Sequence, residues 1–388
     1  MVKLQHIPFH RAYIGSEEIG MVSRAIHSGW ITMGPKTIEF ENEFKAYVGA
    51  KYAIAVNSCT AALHLALEAI GIKEGDEVIV PAITFTATAE VVCYFKAKPV
   101  IVDVEKDTLN ISAAKIEEKI TPKTKAIITV DYGGQAVDYD EIFKIAKKHK
   151  LFIIEDAAHT LPSWYKGKKV GTLADITCFS FYVTKTLATG EGGMITTNNL
   201  RWAKRMKIMR LHGMNKDAWK RYDKGGSWYY EVVGAGYKYN TTDINSALGL
   251  VQLKKLELMW KKRQAIAAMY SLNFKGIPEI SIPVIKKDRV TSWHLYVIKL
   301  NLEQLLIDRA RFIEELAKQG VSASVHFIPL YRHPFYRDKF NYTLKQFPDS
   351  EWIYKRIVSL PIYPGMTKSQ IEQVINAVKN IIKKFRNV

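Results

Sequence analysis

The sequence predicts an α/β domain on a large, mainly parallel sheet, followed by a small C-terminal α+β domain. Three observations predict it. From Tyr52 onward, short β-branched runs alternate with helical segments. After Ile176 two strands follow each other closely, and from about Leu253 a long helix opens a region with strands and helices of its own. The 388 residues, 48% hydrophobic and 24% charged, suffice for one large core and a second small one, because single cores stop growing near ~250–300 residues. The expected division is a large domain over 1–252, including an N-terminal loop, and a small domain over 253–388.

The elements follow in order. "YAIAV" is a strand and "HLALEAIG" a helix; "DEVIVPA", "PVIVDV", "KAIITV" and "LFIIEDAA" are further strands, separated by the helical "TATAEVVCYF", "AKIEEKI" and "YDEIFKIAKKH". Short apolar runs alternating with helices mark strands buried on both faces of a sheet, with helices above and below. "ITCFSFY" and "GGMITT" form the close strand pair. Beyond the helix "LKKLELMWKKRQAIAAMYSLNF" come a strand "WHLYVIKL", a helix "RARFIEELAKQG", a strand "SASVHF" and a terminal helix from Ser369. Pro and Gly near 276–278 and 361–365 mark loops.

Composition excludes several classes. No apolar run approaches the roughly 20 residues of a membrane span, and the N-terminal stretch has no apolar segment ahead of a cleavage site, so the cytoplasm is expected. Cys59, Cys93 and Cys178 are too scattered for a disulfide frame or a metal knuckle. The formal charge of +18 invites a nucleic-acid reading. Its lysines, however, are spread along helix faces such as "FKIAKKHK" and "NIIKKFRNV", without a recognition motif, so a solvated basic surface is expected.

The chemistry gathers where strands end, since ligands of such sheets bind beyond the carboxyl ends. After "YAIAV" the turn "NSCTAALHLAL" opens a helix; Thr60 is expected to cap it, and its free amides suit a phosphate. Phe85 follows the next strand, where an aromatic can cover a planar ring or simply fill the core. Glu155 and Asp156 end an otherwise apolar strand, and a carboxylate buried there needs a hydrogen donor or a cation. Lys185, in "FSFYVTKTLATGEGG", lies between an aromatic strand and a glycine-rich turn, an unfavourable place for an amine unless it is used. Phosphate turn, aromatic, carboxylate and lysine in that order are the constellation that binds pyridoxal 5′-phosphate.

At this level the chain resembles the DegT/StrS-type sugar aminotransferases, which have the aspartate aminotransferase-like fold (fold type I of the pyridoxal-phosphate enzymes). The resemblance runs through "SGWITMGPKTIEFENEF", "GDEVIVPAITFTATAE", "IIEDAAHTLPSWYKGKKVGTLADITCFSFYVTKTLATGEGGMITTNN", "GYKYNTTDINSALGLVQLKKLE" and "VHFIPLYRHPFYRD". It implies that Lys185 carries the cofactor covalently and shuttles the proton, that Asp156 pairs with the pyridine nitrogen, and that His159 lies by the phenolic oxygen. Ser180, Thr60 and Cys59, the last through its backbone, would hold the phosphate. The loop "GYKYNTTD" would complete the partner's site in a homodimer, through Lys238 or Asn240. Histidine replaces the lysine in the family's dehydratases; this chain keeps Lys185, which implies transamination.

The resemblance also implies L-glutamate as donor, 2-oxoglutarate as its product and a nucleotide-linked keto-sugar as acceptor. "SGWITMGPK" is most similar to enzymes that aminate C4 of UDP-linked keto-sugars; Trp30, Thr32 and Gly34 would then face the sugar, with His326 in the nucleotide-sugar pocket. "VDYGGQAVDYDE" is instead similar to enzymes of 4-keto-6-deoxy-N-acetylhexosamines. Tyr331 stands where the family commonly has a second histidine, and His64 reads as structural. Two other readings share the scaffold: a different pyridoxal-phosphate enzyme, and a basic DNA-binding regulator with a vestigial cofactor site.

Overall fold

The computed structural model describes residues 6–215 and 229–387; residues 1–5, part of the stretch read for an export signal, lie outside them. The large sheet has seven strands: β1 (Tyr52–Val56), β2 (Glu77–Pro81), β3 (Lys98–Val102), β4 (Thr124–Val130), β5 (Phe152–Asp156), β6 (Ile176–Ser180) and β7 (Gly193–Thr197). Their spatial order is β1-β7-β6-β5-β4-β2-β3. Only β7 runs against its neighbours, pairing antiparallel with β1 and β6, while β6, β5, β4, β2 and β3 pair in parallel. The carboxyl ends of β1 to β6 therefore share one edge, and β7 begins there.

Both faces of the sheet are covered, which is why its strands are nearly all apolar. Helices Cys59–Ile70, Ala87–Cys93 and Leu200–Met209 cover one face through Leu63, Ala66, Val91 and Met206. Helices Pro35–Val48 and Tyr139–His149 cover the other through Phe40, Phe44 and Ile142. The long helix runs Asp243–Phe274, starting upstream of Leu253, because Thr242 caps it by accepting from Asn245 N. Small and polar residues in its first turns hide it from an apolar count. Gly249 is small for a reason: a Cβ there would lie 2.7 Å from the Phe40 ring.

The far half of that helix packs Tyr270 and Phe274 into the small core with Tyr296, Ile298, Phe312, Val358 and Ile371. There the strands Ile280–Ser281, Tyr296–Leu300 and Ile357–Leu360 form an antiparallel sheet, beside helices Arg309–Lys318 and Lys368–Phe385. "SASVHF" is not a strand: Ser324 makes one bridge to Ser359, after which the chain returns to the core of the seven-stranded sheet, where Leu330 N donates to Ala82 O at 2.9 Å. Tyr331 is buried in the large core, stacked on Phe347 at 4.1 Å. Among the described residues no helix is long and apolar enough to cross a membrane.

Candidate active site

The site is built on the shared strand edge. After β1, Ser58 rather than Thr60 caps the next helix, accepting from Ala61 N at 3.1 Å. Thr60 already lies within the first turn, so its amide and that of Cys59 are donors with no intrahelical acceptor. Register sets Val56 and Ser180 on either side of Gly193. A Cβ on Gly193 would meet the Ser58 carbonyl at 2.6 Å and Cys59 N at 2.9 Å, so glycine is what lets β7 pass beneath the helix end. The register thus brings the helix start at Cys59 and Thr60 and the end of β6 at Ser180 to the same end of β7, where free amides favour an anion. Burial, reinforced by Asp156, raises the Cys59 thiol far above its ordinary value, which leaves it unreactive.

Asp156, at the end of β5, accepts from Thr88 Oγ1 at 2.8 Å and Ala158 N at 3.2 Å. Burial pushes its acidity down, while those donors and the Lys185 charge hold the carboxylate form. Among the described residues it has no ion-pair partner, so a buried carboxylate awaits a cation. Phe85, one turn before Thr88, is 59% exposed, its ring 6.0 Å from Phe327. Lys185 sits on a turn closed by its own N–H to Tyr182 O at 2.8 Å. Burial lowers its amine to about 8, against the opposing pull of Asp156, and no hydrogen-bond or ion-pair partner is found for that amine among the described residues.

Behind Asp156 lies a second acidic pair. Asp131 and Glu155 are both fully buried, Asp131 just after β4 and Glu155 on the adjacent β5. Asp131 accepts from Val137 N at 2.9 Å and Glu155 from Thr177 Oγ1 at 2.7 Å. Asp131 Oδ2, Glu155 Oε1 and the Tyr139 hydroxyl are left buried without partners. Burial and the mutual repulsion of the two groups raise Asp131, and burial raises Glu155. One proton shared between Asp131 Oδ2 and Glu155 Oε1 satisfies both oxygens.

Histidines form the opposite wall. Gly133 N donates to His159 Nδ1 at 3.3 Å, and burial keeps the ring neutral, so its proton is on Nε2 and that nitrogen is a donor. His159 lies between Phe327, at 6.0 Å, and His294, at 4.3 Å. His294 stands just before the strand Tyr296–Leu300, on a wedge that interlocks with the segment carrying His159: Ser292 N donates to Ser163 Oγ at 3.1 Å and Ser292 Oγ to His159 O. Gly134 admits the wedge, since a Cβ there would sit 2.0 Å from Ser292 Oγ. His326 bonds Ser359 Oγ at 2.9 Å and stacks on Phe9 at 5.2 Å; burial, then Lys185, lowers it to about 4.

Trp30, Thr32, Gly34, Lys238 and Asn240 form a separate group at the head of the long helix. The Asp243 carboxylate accepts from Gly34 N at 2.8 Å, Lys36 N at 2.9 Å, Thr37 N at 2.9 Å and Thr37 Oγ1 at 2.7 Å, while Asp243 N donates to Thr32 O at 3.0 Å. Trp30 folds back, its Nε1 donating to Met33 O at 3.2 Å. Asn57 N donates to Tyr239 O at 2.8 Å, which lays the 238–240 loop against the chain's own phosphate turn. Lys238 is exposed, and Asn240 Oδ1 is buried without a donor. No hydrogen bond or ring contact joins this group to Lys185 among the described residues. His64 bonds the Tyr239 hydroxyl at 2.9 Å inside a cage of aromatic rings, a packing role.

Sequence reasoning passed over Thr88, Asp131, Gly193, Asp243, His10 and His294. Thr88 and Asp243 stand in segments it quoted, but a helix-interior threonine and a helix-start aspartate carry no signal until their partners are known. The residues fit a pyridoxal phosphate: an unpaired buried carboxylate for its ring nitrogen, a pair of free amides with a hydroxyl for its phosphate, an Nε2–H donor and a depressed lysine.

The profile of the DegT/DnrJ/EryC1/StrS aminotransferase family matches residues 12–379. The spore coat polysaccharide biosynthesis protein SpsC of Bacillus subtilis is 47% identical over 97% of both chains. Among solved structures, the putative sugar aminotransferase Spr1654 of Streptococcus pneumoniae, in its PMP form, is 35% identical and superposes with a TM-score of 0.92, covering 97% of this chain and 99% of that one. PseC of Helicobacter pylori, an aminotransferase involved in pseudoaminic acid biosynthesis, is 30% identical with a TM-score of 0.91, covering 98% of this chain and all of that one.

Proposed function

Because the chain belongs to the DegT/DnrJ/EryC1/StrS aminotransferase family, whose cofactor is pyridoxal phosphate, we propose that it transfers an amino group from L-glutamate to a UDP-linked 4-keto-sugar. Bound in the site, the cofactor supplies an electron sink for the pair left when a C–H bond beside nitrogen breaks. Asp156 holds a proton on the ring nitrogen by offering a buried carboxylate that has no other cation. Cys59 and Thr60 amides with Ser180 take the phosphate, Phe85 covers the ring, and His159 donates from Nε2 to the phenolic oxygen.

Lys185 does the proton work. With its amine lowered to about 8, about a tenth is neutral at pH 7. It therefore accepts a proton from carbon and returns it with little driving force against either step.

The acceptor assignment draws support from the "SGWITMGPK" loop, and from two relatives named for polysaccharide and amino-sugar synthesis. Trp30, Thr32 and Gly34, held by Asp243, are assigned to the sugar, and His326 to the nucleotide-sugar pocket. Two copies would share sites, with Lys238 or Asn240 reaching the partner's phosphate turn; the exposed Ile14, Ile19, Ile26 and Ile31 offer apolar surface for that contact. An amino-sugar for cell-surface polysaccharide is the expected product.

One observation carries the reading: near Lys185, whose amine burial lowers to about 8, Asp156 is a buried carboxylate with no ion-pair partner among the described residues. The test loads the protein with glutamate and then offers UDP-, GDP- and dTDP-linked 3-keto and 4-keto sugars. Return of the yellow form with a UDP-linked 4-keto-sugar is expected. Its return with an amino-acid-derived keto acid alone would reject the sugar assignment.

A further inference from the structure

The Asp156 carboxylate ends a chain of hydroxyls that the reading above leaves unused. Thr88 Oγ1 donates to Asp156 Oδ2 at 2.8 Å, and Thr84 Oγ1 lies 2.8 Å from Thr88 Oγ1. Thr88 is fully buried and Thr84 is 2% exposed. Among the described residues Thr88 is the one hydrogen-bond partner of the Thr84 hydroxyl. The other carboxylate oxygen, Oδ1, faces Ala158 N at 3.2 Å and the Cys59 thiol at 3.8 Å.

The segment that carries both threonines is fastened at several points. Ala82 O accepts from Leu330 N at 2.9 Å, Thr86 Oγ1 lies 2.8 Å from the Tyr336 hydroxyl, and Thr88 N donates to Phe85 O at 3.2 Å. The hydroxyls are thus held in place by backbone and side-chain contacts that do not involve Asp156.

The direction of the chain follows from counting hydrogens. A hydroxyl has one hydrogen to give and lone pairs to receive, while an ionised carboxylate only receives. With Asp156 ionised, Thr88 gives its hydrogen to Oδ2 and Thr84 gives its own to Thr88, so both are placed. With Asp156 protonated at Oδ2, three hydrogens must share those two contacts, and one is left buried without an acceptor. Protonation at Oδ1 instead sets the acid's hydrogen against the Ala158 N–H, itself a donor. A buried polar group without a partner is costly, so the two threonines favour the anion of Asp156 over its acid.

We propose that Thr88 and Thr84 are positioning residues for the reaction, a directed pair of hydroxyls that keeps the shared proton on the ring nitrogen of the cofactor rather than on Asp156 Oδ2; this rests on the aminotransferase reading. Without the pair the same proton gains a second resting place, on the carboxyl. Asp156 then no longer upholds the ring charge on which the electron sink depends.

The test reads the proton itself, by NMR of the protein loaded with pyridoxal phosphate isotopically labelled at the ring nitrogen, whose resonance separates protonated from unprotonated pyridine. The parent protein marks one end of the scale and Asp156→Asn, which offers no carboxylate, the other. Thr88→Val keeps the shape and removes the hydroxyl. It should shift the proton from ring nitrogen to Asp156 by about 10- to 100-fold, the worth of a hydrogen bond to a charged group, and slow single-turnover transfer by a similar factor. Thr88→Ser, which keeps the hydroxyl, should hold the resonance at the parent position. Thr84→Val should move it the same way by about 2- to 10-fold, as a neutral hydrogen bond would, and decides the matter if Thr88→Val fails to fold. A resonance at the parent position in the valine variants would overturn the proposal, as would an equal displacement in Thr88→Ser. If the ring nitrogen is unprotonated in the parent protein, the pairing of Asp156 with the ring fails first, before any variant is made, and the role of the threonines falls with it.

Discussion

Asp131→Asn should stabilise the protein, and only above acid pH. Asp131 and Glu155 are fully buried neighbours, and a shared proton satisfies Asp131 Oδ2 and Glu155 Oε1. Near pH 4 an unfolded carboxyl also holds its proton; above that the unfolded chain loses it while the folded pair, raised by burial, keeps it. Folding then takes up a proton, and stability falls by about 1.4 kcal/mol per pH unit as pH rises toward the folded value. From the unfolded carboxyl pKa to pH 7 the loss sums to about 4 kcal/mol when the pair retains its proton throughout. An asparagine amide carries its hydrogens at every pH, donates to Glu155 Oε1 in the proton's place, and leaves Oδ1 to accept from Val137 N. Urea unfolding of the cofactor-loaded protein, repeated between about pH 5 and pH 8, measures the difference. The two curves should diverge as pH rises, the variant gaining about 1.4 kcal/mol on the parent per pH unit, on top of the rising slope that the buried neutral histidines give both. Parallel curves, or a variant weaker by the same amount at every pH, would show that Asp131 is ionised and refute the shared proton.

Lys185→Ala should leave the fold intact and abolish turnover, checked by circular dichroism and steady-state assay; appreciable turnover would remove the proton shuttle. In the parent protein, capture of added pyridoxal phosphate by the free Lys185 amine should quicken about fivefold from pH 7 to pH 8 and level off above pH 9, because the neutral amine is the nucleophile and its pKa is about 8. Asp156→Asn should lower turnover by about 100-fold or more while protein yield holds, read by single-turnover kinetics. Gly193→Ala should weaken cofactor affinity by about tenfold or more, since its Cβ would press on Ser58 and Cys59, and equilibrium dialysis against the cofactor would measure it. Asp243→Ala should strand four donors, cost about 3 kcal/mol and expose the 30–34 loop to limited proteolysis; an unchanged cleavage pattern would remove Asp243 as its anchor.

Much of this was legible in the residues alone. The sheet could be read because strands buried on both faces are nearly all apolar, and β7 because it follows β6 after one loop. Lys185, Asp156 and the turn at Cys59 were visible because each places a polar group where the pattern is apolar or small. What stayed hidden depends on distant partners. Thr88 matters only because β5 delivers Asp156 to it, and Asp243 only because the 34–37 backbone turns toward its carboxylate. His294 looked like part of a strand, "WHLYVIKL", yet the strand starts at Tyr296 and the residues before it form the wedge. "SASVHF" alternates as a strand should, but its neighbours left it one bridge.

The helix Asp243–Phe274 bears the anchor of the 30–34 loop at its first residue and Arg263 about five turns later, roughly 30 Å away at 1.5 Å per residue. It is one rod that carries both. A tilt of about 5° about one end would swing the other by roughly 2.5 Å over that length, more than the tolerance of a hydrogen bond. The geometry of the loop assigned to the sugar is therefore tied to how the helix beds in the small core, through one rigid element and without a relay of side chains.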